Sequence, residues 1–410
     1  MEKESILDKL VNDENDIKQA MAFNPLTPSK ILDKLAQDNN IGVRVNVARN
    51  PSTPIKILNK FANSEEINIR KAIAINPSTP IKILEKLSQD KENEVRARVA
   101  INKNTPSEVL EKLSNDKDES VRAGVAINPN TPLELITKLS NDKSIYVKIA
   151  VAKNPNISSN IAAQLLQDNL EVKKTLAQNP STPPEILEKL AEDEDIKKIV
   201  IKNNPNTPLH ILEKLADDEN WRVRAIISHN PSTPIETLEK LAQDKDKFVR
   251  TAVARNPSTP VEVLKKLSQD KISFVRCSVA QNPNTPIDTL KELSQDRFTS
   301  VFTSVKESVA QNPSTPPKIL IELTNDKELW VVRTAVAKNP NTSPHILEKL
   351  ADDENADVRQ AVAKNPSTNV KTVAKLAQDI EVKVRESLAY SPNIAKLNLS
   401  QPKKTINPSI

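Results

Sequence analysis

An Asn-Pro pair returns at an almost fixed interval along this chain, and that periodicity constrains the fold more than anything else in the sequence. It occurs at Asn24, Asn50, Asn76, Asn128, Asn154, Asn179, Asn204, Asn230, Asn256, Asn282, Asn312, Asn339 and Asn365. Asn102-Lys103 fills the single gap, and Ser391-Pro392 ends the series. Most intervals are 26 residues; two of 25, one of 30 and one of 27 depart from it. A period in this range is the mark of a stacked repeat array, in which each unit is one small supersecondary element.

One unit, Asn76 to Ile101, reads NPSTPIKILEKLSQDKENEVRARVAI. Thr79 followed by Pro80 predicts a helix start, with the threonine as N-cap and the proline at the first helical position. Thr105–Glu108, Thr131–Glu134, Thr233–Glu236 and Thr259–Glu262 have the spacing of capping boxes. Ile81, Leu84 and Leu87 then follow at helical rather than strand spacing. A polar turn after Asp90 leads to a second helix carrying Val95 and Val99, with Ala100 beside them. This second helix ends at the residue before proline, which is pushed out of the helical region, and is short enough to be 3₁₀ in part. Such a unit cannot bury its apolar stripe alone and must stack on its neighbours. About fifteen of them, ~8–10 Å apart, make an all-α solenoid whose path is ~120–150 Å, a curved rod. The repeat spans residues 1–392, with a degenerate first unit and a C-terminal cap from about residue 380; residues 393–410 form a loosely ordered tail.

Two charged columns accompany the repeat. An acidic residue closes the first helix at every unit from Asp13 to Asp379 except at Ser64, and a base sits early in each second helix, for example Arg96, Arg122, Arg250 and Lys148. So many equivalent copies cannot each be an active site. They read as a structural ladder in which each carboxylate holds a helix start or a base of its own or the adjacent unit.

The unit N-P-x-T-P-x-x-x-L-x-x-L-[AS]-x-D-x(5)-V-R-x-x-V-A resembles the leucine-rich repeat variant family from about Ser5 to Pro392, and its L-x-x-L-x-x-D…V-R part is similar to HEAT repeats. The resemblance implies a right-handed superhelix and no common enzymatic activity. A member of that family carries a cysteine cluster for an iron–sulfur centre. Here Cys277 is the single cysteine, so no cofactor is expected on that account.

Chemistry is hard to find in the sequence. Gly42 and Gly124 are the only glycines, which leaves no phosphate-cradling loop. His210, His229 and His345 have no metal-ligand spacing; His210 and His345 share a solvated column, and Cys277 reads as a quiet, partly buried thiol. The net charge of +5 is mild, no apolar run is long enough to span a bilayer, and no signal peptide is visible. A cytoplasmic, monomeric protein without membrane contact is the simplest expectation.

Departures from the repeat carry more information. Seven of the ten aromatics lie between residues 146 and 330, and Tyr146, Trp221, Phe248, Phe274, Phe302 and Trp330 all fall at the start of a second helix. That register fits either covers for the local core or hot spots for a partner. The residue before each ladder asparagine also varies: three isoleucines at 75, 101 and 127, then polar and basic residues including His229, Arg255, Lys338 and Lys364. If the second helices line the concave side, this column changes chemistry along a groove. A tandem Phe298-Thr-Ser-Val and Phe302-Thr-Ser-Val duplication accounts for the 30-residue interval, either lengthening its second helix by one turn or forming a bulge. The expected function is a non-catalytic scaffold that binds a protein or extended peptide, the alternative being a nucleic-acid-binding solenoid in which Arg255, Lys338 and Lys364 meet phosphates.

Overall fold

A computed structural model describes residues 10–11, 14–297, 304–325 and 330–398. Phe302, Asp13, Asp326 and the duplicated Phe298-Thr-Ser-Val lie outside them. The described elements are α-helices with one terminal 3₁₀ segment, Pro392–Asn398. Each repeat gives a first helix of seven or eight residues, such as Ile81–Leu87, and a second helix that is typically nine residues long, such as Asn93–Ile101. The second helices are α-helical rather than 3₁₀ in part, and they are the longer of the two.

Two details of the predicted helix start are corrected. Thr131 does not cap the helix that follows it. Its hydroxyl donates backwards to Val125 O at 2.6 Å, closing the end of the preceding helix, and Thr105 does the same to Val99 O. The capping boxes therefore do not form, and Thr233 and Thr259 likewise bond back to Ile227 and Val253. The proline that follows takes the N-cap position, as at Pro80 with ψ 146°, where it needs no N–H. Among the described first helices a proline enters the first turn at Pro184, Pro317 and Pro344.

The apolar phase of the first helix also differs from the expected one. Ile81 is 53% exposed, and the buried set is Ile83, Leu84 and Leu87. From the second helix, Val95, Val99 and Ala100 complete the core. Within each compact unit the asparagines form a buried ladder between repeats. Asn128 Nδ2 donates to Ala100 O at 2.7 Å and Asn102 O at 2.9 Å, while its Oδ1 accepts from Asn130 N–H. Asn102, Asn154, Asn256 and Asn282 repeat the pattern. The side chain thus bonds a helix-end carbonyl, such as Ala100 O, together with the carbonyl of the preceding ladder asparagine, which also accepts from the backbone amide three residues on. Asn102 ends its helix at ψ 126° with Lys103 next, so the ladder sets this backbone even without proline.

The charged columns form a second ladder. Arg96 Nε and Nη2 bond both oxygens of Asp116, twenty residues on, at 2.7 and 3.0 Å, while Nη1 donates to Asp90 O and Lys91 O. Arg70–Asp90, Arg122–Asp142, Arg224–Asp244, Arg250–Asp270, Arg333–Asp353 and Arg359–Asp379 are equivalent pairs, each about a tenth exposed. Arg44, whose counterpart by sequence is Ser64, bonds the carbonyls of Asp38 and Asn39 and forms no ion pair among the described residues.

The repeats fall into two compact units, Leu58–Pro286, and Met1–Ile57 together with Ile287–Ile410. In the first of these Gly124 lets neighbouring second helices approach closely: a Cβ there would stand 2.9 Å from Ala100 Cβ and 3.0 Å from Ala97 O. Within the other unit the first described repeat meets the last one. Asn24 Nδ2 donates to Ala389 O at 2.8 Å and Ser391 O at 2.7 Å, the ladder pattern again. Phe23 and Tyr390 meet edge to face at 6.4 Å beside it. Asn393, two residues past the expected position, bonds Ala363 O and Asn365 O in place of the missing asparagine at 391. Ile394 and Leu397 are buried, so packed structure continues to Asn398, beyond the boundary expected at 392. The described second helix of that repeat is Val305–Gln311 with Ser304 as N-cap; the expectation for residues 298–303 lies outside the described residues.

Candidate functional site

The second helices hold their core positions, the ladder base and the pre-asparagine residue at fixed offsets. In Lys247–Arg255 these are Val249 and Val253 inside, Arg250 in the ladder, and Phe248 and Arg255 outside. Phe248 and Arg255 are seven residues apart, about two turns, and so share a face. The aromatic column and the variable column, distinct in the sequence, are therefore two edges of one exposed surface.

Most of the aromatics expected there are open to solvent: Tyr146 is 65% exposed, Phe248 and Phe274 51% each, and Trp330 38%. Trp221 is half-buried because its ring stacks on Phe248 across two repeats, with centroids 5.0 Å apart and planes 23° apart. The Arg222 guanidinium lies 4.7 Å from the Trp221 centroid, and the Lys247 ammonium 5.1 Å from that of Phe248, both cation–π distances. A hollow of about 640 Å³ opens beside them, lined by Lys202, Trp221, Arg222, Ala225, Ile226 and His229. His229 is exposed, and its Nδ1 lies 2.9 Å from Ala225 O.

A second hollow, about 510 Å³, occupies the same face further toward the N-terminus. Ile101, Ile127, Gly124 and Tyr146 line it, so the isoleucine stretch and one predicted aromatic come together there. Lys338, Lys364 and Trp330 are exposed in the unit that holds both chain ends. Residue-by-residue reading missed Arg222 and Ile226. Their signal was positional, since each lies on the same helix face as the variable column. Cys277 is buried, and His210 and His345 are exposed as expected.

Among the described residues no three His, Cys, Asp or Glu side chains converge as a metal cluster, and no helix is long and apolar enough to cross a membrane. The ladder carboxylates have an electrostatic character of their own. At Asp116 burial works to raise the pKa, but the Arg96 bond, the Asp118 N–H and the nearby cations outweigh it and hold the carboxyl below its ordinary range. Asp90, Asp244, Asp270 and Asp379 behave alike. These groups are ionised and paired, and none is poised to exchange protons near neutrality.

Short paired helices, an asparagine ladder and an Arg–Asp ladder define an all-α repeat protein. Family models agree on the type: the leucine rich repeat variant matches residues 170–195, 221–246, 248–271 and 274–298, and the leucine rich repeat variant domain matches 304–366. These stretches of the chain match the leucine-rich repeat variant family. Among solved structures it is similar to a leucine-rich repeat variant with a novel repetitive structural motif, at 25% identity over 53% of this chain and 87% of that one, with a TM-score of 0.35. An engineered protein aligns at 17% identity over 96% and 98% of the two chains, with a TM-score of 0.16. Importin β aligns at 12% identity over 96% of this chain and 58% of its own, with a TM-score of 0.25. No curated protein matches the sequence.

Proposed function

We propose that this protein is a non-catalytic scaffold that binds another protein, as an extended segment, along the exposed face of its second helices. The observation that carries this reading is the register of Tyr146, Phe248 and Phe274, exposed aromatics at one helix position in a chain otherwise almost free of them. Large apolar side chains held open in register are costly unless something covers them, and aromatics dominate binding energy when it does. The ladder asparagines and Arg–Asp pairs lie below this face and fix its spacing, while the residues at its two edges set specificity.

The test is a Tyr146→Ala, Phe248→Ala, Phe274→Ala chain compared with an Ile81→Ala, Leu133→Ala, Ile235→Ala chain, whose changes fall on exposed positions of first helices. Both should keep parental helicity. In affinity capture from source-cell lysate treated with nuclease, the aromatic variant should lose the bound protein and the other should retain it. Equal retention by both would refute the assignment of the face, and nucleic acid as the sole captured species would refute the class of partner.

A further inference from the structure

The charges around Trp221 narrow the partner, on the reading that the second-helix face is the binding face. We infer that the surface from Glu194–Asn203 to Lys247–Arg255 recognises an acidic, extended peptide that inserts one apolar side chain into the hollow beside Trp221.

Cations in this stretch fall into two groups. Arg224 and Arg250 are committed to Asp244 and Asp270 in the ladder. Lys202, Arg222, Lys247 and Arg255 are exposed, and none of them forms an ion pair among the described residues. Carboxylates are sorted the other way. Asp217 pairs with Lys240, Asp244 with Arg224, and Asp246 caps its helix by accepting from Phe248 N–H. Glu213, Glu236 and Glu239 belong to first helices. Asp218, in the turn before Trp221, accepts from Asn220 N–H, and Asp195 and Glu219 are exposed acids outside the first helices. The stretch is nearly neutral by count, yet among the described side chains of this face the four exposed cations outnumber the exposed acids, because most of the acids lie on first helices or in ion pairs and caps.

The hollow supplies the apolar part. Ala225, Ile226 and the flank of Trp221 line it, with Lys202, Arg222 and His229 at its rim, the arrangement of an anchor pocket inside a polar border. Packed helices lie ~8–10 Å apart and an extended chain advances ~3.3 Å per residue, so about three peptide residues pass each second helix. Acidic residues at every third position would meet Lys202, His229 and Arg255 in turn. A single-stranded nucleic acid is also anionic, but it binds such faces by stacking bases on open rings. Here Phe248 and the Arg222 guanidinium already lie against Trp221, which favours the peptide.

The experiment uses the full chain and three labelled probes followed by fluorescence anisotropy: a peptide with Glu at every third position around a central Leu, its Gln counterpart, and a single-stranded oligonucleotide of similar length. The Glu peptide should bind at least tenfold more tightly than the Gln peptide, and added salt should weaken it. Lys202→Gln with Arg222→Gln should cost about tenfold with little change in the unfolding transition, since neither side chain forms an ion pair among the described residues and the Arg222 contact with Trp221 is exposed. Ile226→Glu should abolish binding of the Leu anchor, and a fold check by circular dichroism separates this from misfolding. Equal affinity for the Glu and Gln peptides, or no effect of the double substitution, would overturn the inference. Tighter binding of the oligonucleotide, competing with the peptide, would overturn it in favour of nucleic acid. If the peptides fail while protein capture still depends on Tyr146, Phe248 and Phe274, this inference falls and the binding-face reading stands; if capture is indifferent too, both fall.

Discussion

Replacing Asn24 with alanine tests whether the first repeat is an end or a joint. The side chain is 2% exposed and makes three bonds: Nδ2 to Ala389 O and Ser391 O, and Oδ1 from Leu26 N–H at 3.0 Å. Alanine removes all three. Ala389 O lies at the end of the last second helix, Val382–Ala389, where carbonyls have no intrahelical amide. An orphaned buried carbonyl costs ~1–3 kcal/mol and an ordinary lost bond ~1 kcal/mol, so the joint should weaken by about 2–4 kcal/mol. In a chain whose first repeat were a free end, the same change would cost only the Leu26 bond, about 1 kcal/mol. Repeat arrays do not unfold as one two-state unit, so amide exchange resolved by segment is the appropriate assay. Asn24→Ala should accelerate exchange in residues 382–398 as much as in residues 15–23, although 365 residues separate the contacts. A Phe23→Ala and Tyr390→Ala cycle should give a coupling of about 0.5–1.5 kcal/mol from their edge-to-face contact. Faster exchange confined to residues near Asn24, with zero coupling in the cycle, would refute the joint.

Further outcomes follow from the two ladders. Asn128→Asp keeps the shape and the Asn130 N–H bond but turns the Nδ2 donor into a buried anion facing Ala100 O and Asn102 O. Burial raises that carboxyl's pKa, so the deficit relative to the parent should be large at neutral pH and shrink as acid protonates it; urea titrations at several pH values measure this. The parental ladder has the opposite sign. Because Asp116 and its equivalents are depressed below 3.8 when folded, their stabilisation is complete above about pH 4 and is lost as pH falls through the folded values. Asp116→Ala should cost about 3 kcal/mol at neutral pH by stranding Arg96, with less difference from parent in acid. Gly124→Ala should destabilise by up to about 2 kcal/mol in thermal melts: overpacking against Ala100 and Ala97 O costs ~1–3 kcal/mol, against a helix-propensity gain of ~1 kcal/mol.

The repeat, its two helices and its charged columns were legible because each is written many times over, and coincidence in one copy does not survive the others. The direction of bonding was less legible. Thr131 precedes proline and Glu134 in the pattern of a cap, yet its hydroxyl donates to the helix-end carbonyl of Val125 behind it. Ile81 looked internal because Leu84 and Leu87 follow at helical spacing, but Ile83 occupies the core phase and leaves Ile81 outside. The joint between Asn24 and Ser391 had no local trace, since the first asparagine looks like every other. The site was half visible. Exposed rings could be placed in one register from sequence, whereas their partnership with Arg222, Ile226 and the variable column needed the helix face itself.

The most direct test of the binding face is hydroxyl-radical footprinting of the chain with and without the captured protein partner. Tyr146, Trp221, Phe248 and Phe274 should lose reactivity in the complex, while the exposed first-helix residues Ile81, Leu133 and Ile235 stay as reactive as in the free chain. Protection of the first-helix column with unchanged aromatics would contradict the account and move the interaction to the opposite set of helices.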